Sequence, residues 1–117
     1  MTVRRMKTYT GAQGYVYQYY FVGKRSAIGE AGVSEYVFDV SSDRKITFSV
    51  SIFLPDDAVK AWAAAHGRSL TDAEQYAAVK MRLFRGFDEI EDMMASGRKL
   101  RIAEQEIEGL LSTLGVQ

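Results

Sequence analysis

The plainest pattern in the chain is a strict alternation. In KITFSVSIFL, Ile46, Phe48, Val50, Ile52 and Leu54 fall on one side while Thr47, Ser49 and Ser51 fall on the other. That period of two is the mark of a half-buried strand with one face wet or turned to a partner. Two further strands are expected upstream. Tyr15 to Val22 is aromatic and β-branched, and EYVFDV covers Glu35 to Val40. Gly11, Gly14, Gly23, Gly29 and Gly32 punctuate this third of the chain as turns do. GKRSAIGEAG reads as a loop and SSDRK as a hairpin connection.

At Pro55 the period lengthens to about 3.6 residues. Pro55 suits a helix start, and Asp56 and Asp57 complement the positive end of the helix dipole. Val59, Trp62, Ala63 and His66 form one stripe, and Gly67 supplies a stop. Thr71 and Glu74 have capping-box spacing, which predicts a helix from Asp72 to about Met94. Tyr76, Lys80, Leu83, Phe84, Phe87 and Ile90 line its broad face. Gly86 inside it costs about 1 kcal/mol relative to alanine, so it marks a bend or a close contact. Beyond ASGRK, the spacing of Leu100, Ala103, Ile107, Leu110 and Leu114 predicts an amphipathic helix ending at Gly115. Residues 98–102 also suit a short strand. Strands first and helices after predict an α+β domain: an antiparallel sheet of at least three strands, with two or three helices packed on one face.

At 117 residues the chain is one domain, with a β-rich half at 1–54 and a helical half at 55–117. Hydrophobic residues at 47% and charged residues at 26% place it among globular chains. The absence of cysteine removes disulfides, thiolate metal sites and a cysteine nucleophile, and it fits a reducing compartment. No secretory signal and no membrane-length apolar run is visible, so a cytoplasmic location away from the membrane is expected. The net charge of zero hides an asymmetry. Arg4, Arg5, Lys7, Lys24 and Arg25 meet no acid in the first 25 residues, while the remainder carries ten cations and fifteen acids. A local field of that kind attracts phosphates, or an acidic surface of the same or a neighbouring chain.

GYVYQYYFVGKR holds four tyrosines and a phenylalanine within seven positions. On a strand, Tyr15, Tyr17, Tyr19 and Phe21 share one face, and Val16, Gln18, Tyr20 and Val22 the other. A helix layer covers only one face, so the second calls for a subunit, a ligand or another strand layer. Bases of single-stranded nucleic acid stack on such rings, with Arg4, Arg5, Lys24 and Arg25 placed to hold the backbone. A subunit interface uses tyrosine equally well.

The run ITFSVSIFLPDDAV…HGRSLTDAEQYAAVK resembles the ribbon-helix-helix DNA-binding repressors, over about 40 of the 117 residues. In that family a strand with alternating polar residues leads into two helices, and the dimer's paired strands read the major groove. The resemblance implies Thr47, Ser49 and Ser51 as reading positions and Gly67 and Ser69 in the turn. Two departures stand beside it. The first helix is about a turn short, and Tyr36 to Val40 is expected to pair with this strand inside the same chain.

Catalytic chemistry finds little footing. His66 is the lone histidine, at a helix end where the dipole favours a cation, and no spacing nominates an orienting partner. Asp88, Glu89, Glu91 and Asp92 follow Lys80, Arg82 and Arg85 at salt-bridge distance and read as a solvated helix face. Phosphate-loop, dinucleotide, nucleophile-elbow and zinc motifs are all missing, so no cofactor or metal is expected. Two heptads of the last helix are too few for a free coiled coil, which requires a dock. The resulting expectation is a non-catalytic, homodimeric protein-interaction module. Nucleic-acid binding is the alternative, through the N-terminal cations and tyrosines or through the Thr47, Ser49 and Ser51 face.

Overall fold

The computed structural model describes residues 6–42 and 46–117. Arg4, Arg5 and residues 43–45 of the expected SSDRK connection lie outside them, while its Ser41 and Ser42 are strand. The described chain is α+β, with a five-stranded mixed sheet and four helices. Strands β1 (Lys7–Thr10), β2 (Val16–Ser26), β3 (Val33–Ser42) and β4 (Ile46–Pro55) form an antiparallel meander. Helices α1 (Asp56–His66), α2 (Asp72–Glu89) and α3 (Met93–Ser96) then lead to β5 (Lys99–Arg101), which joins β4 in parallel, and α4 (Ile107–Ser112) closes the chain.

One expectation is refined and two need correction. The sheet of at least three strands has five, and it is mixed rather than wholly antiparallel because β5 joins β4 in parallel. Residues 99–101 are strand, and the last helix shrinks to 107–112, because Ser51 N–H donates to Arg98 O and Ile102 N–H to Phe53 O, drawing the segment onto β4. The long helix stops at Glu89 instead of Met94, and Asp92 caps a separate short turn by accepting from Ala95 N–H at 3.1 Å.

The local chemistry explains the helices. Thr71 and Glu74 form a reciprocal capping box, with Glu74 N–H donating to Thr71 Oγ1 at 3.1 Å and Thr71 N–H to Glu74 Oε1 at 2.9 Å. Arg68 adds a two-pronged contact to Glu74 at 2.8 Å, and this pairing, then the Thr71 backbone bond, pulls the Glu74 carboxyl down to about 2. Gly67 ends α1 at φ 69°, the left-handed conformation glycine adopts without strain. Gly86 turns out to be a close contact: a Cβ there would sit 2.8 Å from Leu100 Cδ1, so β5 reaches in where α2 has no side chain.

The helices cover one face of the sheet. Tyr17, Tyr19, Phe38, Val50 and Leu54 from the strands share one core with Trp62, Leu83, Phe87 and Leu111 from the helices. A bulge between Phe21 and Gly23 resets the register of β2, pushing Val22 outward and returning Lys24 to the helix side opposite Tyr36. Beyond the bulge Arg25 pairs with Glu35 on the uncovered face. The expected docking of the last helix is met inside the chain, since Ile107, Leu110 and Leu111 are buried in the common core.

Candidate functional site

The tyrosines of β2 belong chiefly to the core. Tyr17 is 1% exposed and stacks on Phe87 at 4.2 Å. Tyr19 is buried edge-on against Phe84 at 5.6 Å, and Tyr9 of β1 stacks on Phe84 at 4.4 Å. Tyr15 is half-buried beside Tyr17. Stacking on bases needs an open ring face, so Tyr17 and Tyr19 are not a surface platform. The other β2 face, with Val16, Gln18, Tyr20 and Val22, is partly exposed, and Tyr20 donates to Asp39 Oδ2 at 2.7 Å. The helix-facing rings of β2 are covered within the chain.

The uncovered face of the sheet gathers Arg25, Thr47, Ser49 and Ser51, four of the residues singled out from the sequence. At its centre Glu35 is only 6% exposed. It accepts from Arg25 Nε at 2.9 Å, Arg25 Nη2 at 3.2 Å and Ser51 Oγ at 2.6 Å. The Arg25 bond, then the Ser51 bond, hold its carboxyl below the ordinary range against the opposing effect of burial. Thr47 and Ser49 are exposed. Arg98 Nε donates to Ser49 O at 3.2 Å, and Arg101 pairs with Glu30 at 2.6 Å. Arg25 and Arg101 are thus each paired with an acid rather than left open as in a phosphate track. The strand itself is hydrogen-bonded on one side along its length to β3 and on the other to β5 at Ser51–Phe53. A ribbon shared across a dimer would have to displace one of those neighbours.

Lys24 lies over the Tyr36 ring at 5.4 Å. His66 stacks on Trp62 at 4.0 Å, and its Nε2 is 2.7 Å from Glu108 Oε2, which ties α1 to α4. The acidic run is also engaged: Asp88 accepts from Tyr9 Oη at 2.9 Å and from Ala12 N–H at 2.9 Å, anchoring the β1–β2 hairpin. No group of three His, Asp or Glu side chains among the described residues is placed to hold a metal ion. No helix among them is long and apolar enough to cross a membrane.

A cleft of about 780 Å³ opens where the sheet ends. Tyr15, Ile46 and Phe48 form one wall, Ile90, Met93 and Met94 the other, and Glu91 and Asp92 stand at it. Ile46 is 52% exposed and Met94 43% exposed, so apolar surface faces solvent on both sides. The alternation of β4 shows Ile46 as inward-facing but cannot show that α2 stops short of covering it. Comparisons with family models, with curated proteins and with solved structures find no match to this chain.

Proposed function

We propose that the protein is a binding module whose end cleft takes a segment of a partner protein carrying an apolar side chain next to a cation. The observation that carries this reading is the pairing of exposed Ile46 and Met94 across a cleft that also bears Glu91 and Asp92. Apolar walls reward burial of a hydrophobic anchor at about 25 cal/mol per Å². The two methionines adapt their shape to it, and the acids favour a neighbouring lysine or arginine. One motive for the expected homodimer falls away, since the last helix finds its dock inside the chain. A two-fold copy would also set Glu91 and Asp92 against themselves, which favours a different partner.

The test is a methyl NMR titration of the methionines with two peptides of matched apolar content, one basic and one acidic. The basic peptide is expected to move the Met93 and Met94 signals, with Met81 unmoved, and Ile46→Asp to weaken it about tenfold. Glu91→Lys is expected to reverse the preference between peptides. Equal response to both peptides, or a doubled mass by sedimentation that Ile46→Asp returns to monomer, overturns the reading.

A further inference from the structure

Strand β1 and helix α2 bring two lysines to the same residue, Tyr19. Lys7 lies across from Tyr19 in the β1–β2 register, on the helix-facing side. Lys80 projects from α2 over the same ring, its Nζ 5.9 Å from the Tyr19 centroid and 5.8 Å from those of Tyr76 and Phe84. Burial first, and then the neighbouring Lys7, hold Lys80 below the ordinary lysine range. Among the described residues, no ion pair joins either lysine to a carboxylate.

The aromatic faces compensate one ammonium in part. A second ammonium beside it is repelled, and an anion seated between the two relieves that repulsion. We propose that Lys7 and Lys80 together bind the phosphate of a small phosphomonoester at the seam of β1 and α2. A phosphomonoester carries close to two negative charges near neutral pH and several acceptor oxygens, which matches two ammonium groups. A monocarboxylate matches only one. The Tyr19 and Tyr76 phenols beside the amines are held protonated by burial, and for Tyr19 also by Tyr76, so they add no negative charge.

The test uses the full chain with carbon-13-labelled lysine, titrated near pH 7 with inorganic phosphate, glycerol 3-phosphate and acetate. Saturable movement of the Lys80 signal by glycerol 3-phosphate, with a rise in its titration midpoint, is expected. Acetate should bind about tenfold more weakly. Inorganic phosphate binding as tightly as the ester assigns the site to free phosphate, with the same cationic chemistry. Lys80→Met and Lys7→Met should each cost tenfold or more, and Lys7 is exposed, so its replacement leaves the fold intact. Lys24→Met should change affinity by less than twofold. An unmoved Lys80 signal, or equal losses in the Lys24 and Lys7 variants, overturns the proposal.

Discussion

Replacing Glu35 by glutamine keeps the shape of the side chain and removes its charge. In the native chain the carboxylate is 6% exposed and accepts from Ser51 at 2.6 Å and from Arg25 at 2.9 Å. A buried hydrogen bond to a charged group is worth about 1.5–3 kcal/mol, against roughly 1 for a neutral one. Arg25 is more than half exposed, so its pairing is screened and adds little. Glu35→Gln should therefore lower stability by about 1–2 kcal/mol at pH 7, or roughly 4–10 °C in Tm for a chain of this size. The sign with pH follows from the lowered carboxyl. Stability from a depressed acid is complete above its unfolded value near 4.3 and is lost as pH falls through the folded value. Urea unfolding of both proteins from pH 7 to pH 3 should show their difference shrinking below about pH 5. A gap that stays constant across that range, or no gap at pH 7, would refute the role given to this carboxylate.

Gly11→Ala would place a Cβ 2.6 Å from the backbone oxygen of Phe87, an atom that cannot swing aside. A loss of about 1–3 kcal/mol is expected in urea titration, and a neutral result would mean that the hairpin does not abut the end of α2. Thr71→Ala removes the acceptor for Glu74 N–H and should cost about 1 kcal/mol. Thr71→Ser should restore most of it, which separates capping from loss of the methyl.

Much of the fold is legible in the chain because it is written in local chemistry. The alternation of β4, the Thr71–Glu74 box and the Pro55 boundary each depend on residues a few positions apart. Gly86 could be flagged for the same reason, although only the structure shows Leu100 filling its place. Strand β1 is not legible in the sequence and β5 is legible only as an alternative to helix, because both are short and carry few inward side chains. In β1 only Lys7 and Tyr9 face the helices, and β5 is three residues with Leu100 alone pointing in. Leu100 and Leu110 happen to fit one helical spacing while belonging to different elements. The buried Leu111, which that spacing leaves off its stripe, was the signal against it. The site was legible only as residue types. Lys7 was noticed as one of the N-terminal cations and Lys80 as part of a helix face, but their meeting depends on β1 joining the sheet. The role of Ser51 escaped for a like reason. A serine on a strand's polar face looks solvated until the opposite strand supplies Glu35.

The uncovered sheet face is where a binding surface would first be sought, yet its central side chains satisfy one another. Glu35 is occupied by Arg25 and Ser51, and Tyr20 by Asp39. A ligand there would have to replace bonds already made and recover their full desolvation penalty. Chemistry left unsatisfied is found instead at the margins of the sheet. The end cleft combines apolar walls with Glu91 and Asp92, and the β1–α2 seam sets Lys7 and Lys80 at Tyr19. These margins carry opposite signs, so a chain of zero net charge presents two distinct local fields. They select opposite ligands, a cationic segment at the cleft and an anion at the seam. Added salt should weaken both interactions, while replacing Glu91 should alter only the first and replacing Lys7 only the second.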